Sequence, residues 1–495
     1  MCARPTALVI GAGLGGIAIA ARLARQGFAV TVLEKNGGPG GRCGRLVRDG
    51  HRFDIGPTLL LMPEVFAETY AALGERMDDH LDLLRVDPTY HIHFDDGSMF
   101  APTGDLTALK AQVEAVEPGS FDGMLRYLTE GHHHYQHALQ HFVGRNFTSL
   151  PAYLSPRNLW EVCHHLHALS KNYRRAGRYF TDPHLKAAVT VQNMYLGLSP
   201  FDAPATYSLL PYAELVGGVW FPKGGMYRVV ESLVAIAEAQ GVQFRYDTPV
   251  ARIAVIGNLA SGVVLSDGSF LDASLVVTNA DLPYAYHDLL PDRKAAKRLQ
   301  KLKYTCATIT YYWTVDRVYP QLGPHTLYLA GDYRDSFTRI FRDHALPFAP
   351  SFYVHAPARI DPSAAPPGRD TLMALVPVGH LDDSVAQDWP AWTAHARAAI
   401  LRGLADIGVT GIDEHLISET VYTPGDWRDR FNLARGAAFS LSHNAMQVGY
   451  FRPHNRHRHY GNLYFVGGST HPGSGLPMVL LSARLSAERI ARDRA

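Results

Sequence analysis

The chain has 495 residues, 47% apolar and 19% charged, which calls for large buried cores in roughly two or three domains and excludes a disordered polymer. Its 47 Lys and Arg against 46 Asp and Glu leave a net charge of +1, without the basic surplus that a nucleic-acid partner demands. Four scattered cysteines (Cys2, Cys43, Cys163, Cys306) form no C-x-x-C pair, so no disulfide, zinc or iron–sulfur pattern arises and a reducing cytoplasm fits.

The opening "TALVIGAGLGGIAIAARLARQG" shares an early Arg, an apolar stretch and small residues with a secretory leader. Its glycines, however, keep a spacing that a leader does not need. Residues 7–10 read as a buried strand, about 15–26 as a helix with Ile19 and Leu23 at helical spacing and a stop near Gly27, and 30–33 as a second strand. Gly11, Gly13 and Gly16 supply G-x-G-x-x-G: the first permits the sharp turn, the second lets a pyrophosphate approach the backbone, and the third lets the helix pack on the strand. Glu34 ends the second strand, 18 positions after Gly16, where its carboxylate accepts both hydroxyls of an adenosine ribose. Strand, helix, strand and acid in this order point to a bound dinucleotide, and the acid disfavours the 2′-phosphate of NADP.

A second glycine turn, "GGPGGRCGR", follows at once. Gly41 and Arg42 suit the pyrophosphate and flavin end of a dinucleotide longer than one nucleotide fold holds, which favours FAD over NAD. "FDIGPTLLLMP" adds a Gly-Pro-Thr turn at Pro57 and Thr58. Residues 106–199 are polar-helical and rich in His, Tyr and Arg. "HHHYQHALQH" there sets His133, His137 and His141 on one helical face, with "HHLH" at 164–167. Helical histidines at this spacing bind metal, and a histidine-box membrane desaturase is the competing reading. That reading needs several spanning helices, and no uninterrupted apolar stretch of about 20 residues occurs. No metal is therefore expected.

"VVESLVAIAEAQGVQFRYDTPVARIAV" reads as a helix up to Gly241 and two strands, and residues 274–281, "SLVVTNAD", supply another. Beyond 283, "CATITYYWTV" and "TLMALVPVG" are β-type runs, and "DPSAAPPGRD" is a turn-rich loop. The chain ends with a strand at 463–466, a glycine turn at 467–475 and a helix with Pro477 in its first turn.

The two glycine turns, Glu34, "FDIGPT", "TYSLLPYAELVGGVWFPKGGMYRVVESL" and the closing "NLYFVGGSTHPGSGLPMVLLSA" together resemble the bacterial and fungal phytoene desaturases, FAD-dependent carotenoid desaturases within the amine-oxidase-like flavoproteins. "GVWFPKGGMY" looks closer to the diapophytoene (C30) branch than to the C40 branch. The resemblance implies an α/β fold: a discontinuous Rossmann-type FAD-binding domain (1–105, 220–282, 423–495), an inserted mixed-sheet substrate domain (283–422) and a helical membrane-associated region (106–219). It implies that the C-terminal segment returns to cover the flavin, with Gly468, Leu476, Pro477 and Met478 as contacts, and that Val250 offers backbone groups to the adenine. The helix N-terminus there would stabilise reduced flavin. "FTDPHLKAAV" resembles a segment near the family's site, which makes Asp182 and Lys186 candidates for a polar catalytic role; a helix-start acid and a solvated lysine are their structural alternative.

The implied reaction removes hydride to flavin N5 and a proton from the neighbouring carbon of a linear polyisoprenoid. The alternatives are a carotenoid or diapocarotenoid oxidase, a carotenoid isomerase, an amine oxidase, or a non-enzymatic FAD-containing escort protein. With no second nucleotide fingerprint and no iron–sulfur cysteines, oxygen or a quinone is the expected electron acceptor. The substrate dissolves in bilayers, so peripheral attachment of a cytoplasmic protein to the membrane surface is expected, through apolar side chains of 57–66 or 209–220.

Overall fold

A computed structural model describes residues 4–147, 149–153 and 170–494; the histidines at 164–167 and Cys163 lie outside the described residues. The first strand, Thr6–Ile10, sits in the middle of a five-stranded parallel sheet in the order Leu463–Phe465, Leu275–Thr278, Thr6–Ile10, Ala29–Leu33, Gln243–Arg245. Ala7 lies opposite both Val30 and Leu275, and Val276 opposite Leu463. Parallel neighbours need long crossovers, and here one crossover, residues 279–462, carries five of the seven strands of a second sheet. The opening helix, Leu14–Arg25, has Ile17, Ala18, Ile19, Ala20, Ala21 and Leu23 wholly buried. It packs on the strands and also on the helices Tyr227–Ala239 and Leu476–Arg494, and its three alanines leave room for both. A three-stranded antiparallel ribbon, Val250–Ile256, Leu259–Leu265 and Phe270–Asp272, flanks the five-stranded sheet.

The second sheet has seven strands in the order Leu416–Tyr422, Ala307–Val315, Asp370–Val378, Phe352–His355, His325–Leu329, His91–Phe94, Met99–Phe100. Side chains alternate between its faces. Ile309, Tyr311, Trp313, Ala374 and Val376 form a core with Ala396, Ile400 and Leu404 of the helix Trp389–Asp406. Their neighbours Thr308, Met373, Leu375 and Pro377 face a central cavity. The last two strands correct the sequence boundary at 105. His91–Phe94 pairs in parallel with His325–Leu329, His91 opposite Thr326, so it belongs to the seven-stranded sheet and not to the unit of the five-stranded one. Burial of Ile92 and Phe94 beside Leu109, Val113, Met124 and Tyr127 explains why: the strand carries the helices Leu106–Val116 and Phe121–His137. Among the described residues no helix is long and apolar enough to cross a membrane.

Candidate functional site

The two N-terminal glycine turns lie side by side, Gly13 bridging to Gly40, whose N–H donates to the Ala12 carbonyl at 2.8 Å. Space decides both key glycines. A Cβ on Gly16 would stand 2.0 Å from the Gly11 carbonyl oxygen, so this position is for packing. A Cβ on Gly13 would meet only the Asn279 Oδ1, at 2.6 Å, and would otherwise fill the cradle itself. The buried Glu34 carboxylate accepts the Ala12 N–H at 2.8 Å and the Asn36 N–H at 2.9 Å. Its backbone carbonyl takes the Thr248 N–H at 2.8 Å, which draws Thr248, Pro249 and Val250 to the same end of the cavity.

The closing turn arrives opposite. Gly467 has φ +120°, and a Cβ there would stand 2.7 Å from Asn279 Nδ2, which donates to the Val466 carbonyl at 3.0 Å. Arg42 donates to the Ala438 carbonyl at 3.0 Å, and its guanidinium lies 3.7 Å from where a Gly468 Cβ would be. Burial lowers the Arg42 pKa against the attraction of Asp281, and burial raises that of Asp281 against the bond from Ser440 and the charge of Arg42. In the helix Leu476–Arg494 the Val479 N–H bonds the Gly475 carbonyl at 2.9 Å. The N–H groups ahead of it have no intrahelical acceptor, and Leu476, Pro477 and Met478 line the cavity there.

Arg452 is the organiser of this return, and nothing in the sequence marks it. It is 1% exposed and donates to five backbone carbonyls: Thr470 (3.1 Å), Ser442 (3.1 Å), Gln447 (3.1 Å), Leu441 (3.4 Å) and Gly468 (2.6 Å). Burial brings its pKa down to about 10, with Tyr207 and Asp281 pulling the other way. His443, held neutral by burial, accepts the Ser474 N–H at Nε2 (3.0 Å).

These elements enclose a single cavity of about 800 Å³ that passes from Gly11, Gly13 and Glu34 to an apolar chamber walled by Leu327, Leu329, Phe337, Ile340, Met373 and Leu375. Pro57 and Thr58 line it, and the Thr58 hydroxyl meets the Tyr353 hydroxyl at 2.7 Å, which meets His325 Nδ1 at 2.7 Å. Leu59, Leu61 and Met62 line it too, while Leu60 is held by paired backbone bonds to Trp220. Of the two stretches expected at the membrane, 57–66 therefore faces inward. Burial pushes the cavity-lining Cys306 up to about 12, so it is a thiol and not a nucleophile.

Twelve of the expected cofactor residues line this cavity: Gly11, Gly13, Glu34, Gly41, Arg42, Pro57, Thr58, Val250, Gly468, Leu476, Pro477 and Met478, with Gly16 behind them. Asp182 and Lys186 do not. The Asp182 carboxylate accepts the His184 and Leu185 N–H groups (2.7 and 3.1 Å) as the cap of the helix Pro183–Ala188, and the Lys186 ammonium stands 5.7 Å from the Tyr173 ring. Their chemistry is that of a helix start. His137 lines the cavity wall with its ring tilted against that of His141, 5.8 Å between centroids, whereas His133 is exposed. Among the described residues the one trio close enough to share a metal ion is His344, His380 and Asp382, not the helical histidines. Sequence reasoning passed over Asn279, Asp281, His443 and Arg452; only the first two carry a signal, the polar pair that follows a buried strand in "VVTNAD".

Residues 14–491 match the flavin-containing amine oxidoreductase family. The chain is 47% identical to a zeta-carotene-forming phytoene desaturase of Myxococcus xanthus (98% of this chain, 93% of the relative) and 44% identical to a phytoene desaturase of Neurospora crassa (99% and 85%). To a 4,4'-diapophytoene desaturase of Staphylococcus aureus it is 32% identical (98% of each), so the whole chain does not follow the lean of "GVWFPKGGMY" toward that branch. A solved putrescine oxidase bound to putrescine shares the fold at TM-score 0.64 and 16% identity, with 99% of each chain covered.

Proposed function

This chain belongs to the flavin-containing amine oxidoreductase family, and within it to the phytoene desaturases; from that premise we propose that it holds FAD and desaturates a linear polyisoprenoid of the phytoene type. The observation that carries the reading is the single cavity in which two glycine turns and the closing helix share walls with an apolar chamber. A hydrocarbon enters such a chamber at no polar cost, whereas a cationic amine would be stripped of water there with no carboxylate among the described residues of the chamber wall to meet it.

The residues fit FAD. The cradle at Gly13 is one a Cβ would fill, Glu34 is placed for ribose hydroxyls, and Val250 stands beside it for adenine. Gly41 and Arg42 serve the diphosphate, and Gly468, Leu476, Pro477 and Met478 the flavin ring. Attachment is read as non-covalent, and His471 of the closing turn is held outside the cavity lining with its Nε2 on the Arg145 carbonyl at 2.9 Å. When bound, FAD supplies the oxidant, a hydride acceptor at N5. The chain's own residues orient an allylic CH2–CH2 unit in the chamber and keep water out. Oxygen or a quinone takes the electrons afterwards. Attachment to the membrane surface uses residues 209–220, where Leu209 and Leu210 reach the cavity and Val216 is 57% exposed; being apolar, it should survive high salt in liposome flotation.

The test is a hydrogen balance. Incubated with phytoene in liposomes, the enzyme should yield products lighter by two hydrogens per new double bond, and acid denaturation should release a yellow compound of FAD's mass. A product of unchanged mass would mark an isomerase, and added oxygen an oxidase; either would replace this reading.

A further inference from the structure

One wall of the apolar chamber is polar just behind its surface. Tyr195, Tyr353 and Thr58 line the cavity, and one layer back stand Tyr90, Gln192, Glu214 and His325. Glu214 is 2% exposed. Its carboxylate accepts the Tyr90 hydroxyl at 3.0 Å and the Gln192 amide at 3.1 Å, so its partners are a phenol and an amide, not a cation. Burying a carboxyl in such company is costly. Burial raises its pKa to about 7, against the pull of Gln192, Tyr90 and Tyr195. The Tyr195 hydroxyl is buried without a partner of hydrogen-bonding geometry, and after burial the charge of Glu214 is the largest influence holding its pKa far above 10. The Tyr90 and Tyr195 rings are 6.1 Å apart, and Tyr90 and His325 5.9 Å, with His325 kept neutral by burial.

Resting on the desaturase reading, we propose that Tyr195 is the catalytic group that receives the proton lost from the substrate, and that Glu214 positions it and takes the proton it passes on. The balance closes. As one allylic carbon loses hydride to oxidised flavin, the C–H bond on its neighbour breaks and leaves its electron pair in the new C=C bond. The proton goes to the Tyr195 oxygen while the Tyr195 proton moves to the Glu214 carboxylate, giving a carboxylic acid and reduced flavin. Tyr195 lines the chamber with Glu214 one layer behind it, whereas Glu34 and Asp281, the carboxylates among the described residues that line the cavity itself, stand at its nucleotide end and already hold backbone or hydroxyl donors. The groups that face Glu214 and set its titration are Tyr90, Tyr195 and Gln192, with Tyr353 and neutral His325 beyond.

The test is anaerobic flavin reduction by phytoene in liposomes from pH 5.5 to 9, with infrared spectra of the resting holoenzyme beside it. Wild type should reduce faster as pH rises through about 7, and should show a carboxylic-acid carbonyl band that titrates in the same range. Glu214→Gln should lose the band and the pH step and react about 10²- to 10⁴-fold more slowly; Glu214→Asp should restore a pH step. Tyr195→Phe removes only an unpartnered hydroxyl, so a structural role predicts wild-type rates and this one a loss like that of Glu214→Gln. It also serves should Glu214→Gln fail to fold. Wild-type rates and pH profile in Tyr195→Phe or in a folded Glu214→Gln would overturn this proposal alone. Wild-type flavin that no polyisoprenoid reduces would overturn the desaturase reading and this proposal with it.

Discussion

Two glycines of the opening turn, Gly13 and Gly16, offer the sharpest separation of cofactor cradle from scaffold. Gly13 has φ −67° and ψ 168°, a conformation alanine adopts freely, and its added Cβ meets only the Asn279 Oδ1. That amide can rotate at the expense of its 3.0 Å bond to the Val466 carbonyl, about 1 kcal/mol, partly offset by the lower entropy of an unfolded chain with alanine. Gly13→Ala should therefore fold with stability within about 1 kcal/mol of wild type, while its methyl fills the cradle and raises the Kd for FAD by about 100-fold, or 2.7 kcal/mol. Gly16→Ala is the opposite case. Its Cβ would be 2.0 Å from the Gly11 carbonyl oxygen, where real Cβ contacts stay beyond 3.0 Å, and backbone must move. That costs about 3 kcal/mol or more. Urea denaturation of apo-protein and fluorescence titration with FAD read the two effects separately. Wild-type FAD affinity in Gly13→Ala, or wild-type apo-stability in Gly16→Ala, would refute the assignment.

Glu34→Ala removes the ribose acceptor and should weaken FAD binding by about 1.5–3 kcal/mol, read as a 10- to 150-fold rise in Kd. Arg452→Met strands five carbonyls and should lower stability by about 3–5 kcal/mol in urea denaturation, with Arg452→Lys failing to restore it because an ammonium lacks the fork that spans them. Acidification should destabilise the protein between pH 6.5 and 4. There the unfolded chain protonates histidines that burial keeps neutral in the fold, six of them strongly (His325, His355, His380, His443, His457, His471), so stability rises with pH. Asp54 and Glu214, raised by burial to about 6 and about 7, hold protons in the fold over part of that window and offset only a minority of the slope. Urea midpoints at pH 7 and pH 5 check the sign, and equal midpoints would contradict it.

The nucleotide half was legible because its information is local. Turn chemistry, a buried strand and an acid at fixed spacing fall within residues 6–34, and the structure adds only one residue to the ends of those strands. The closing turn was legible through its glycines. What the sequence concealed are side chains whose role exists only across the fold: Arg452 closes a loop with residues 441–470, and Asn279 touches both Gly13 and Val466. Asp182 shows the converse. An acid before proline and three helix formers caps a helix by local physics, and resemblance alone had lent it chemistry. Residues 91–94 fell inside the expected unit 1–105 because four residues carry no pairing information; the strand they pair with lies more than two hundred positions away.

The most direct test of the central claim is a single anaerobic turnover in which flavin absorbance and product are measured on the same sample. Mixed with phytoene in liposomes, the yellow FAD band should bleach, and one carbon–carbon double bond should form for each flavin reduced. Double bonds formed with the flavin still oxidised, or bleaching with no dehydrogenated product, would contradict it.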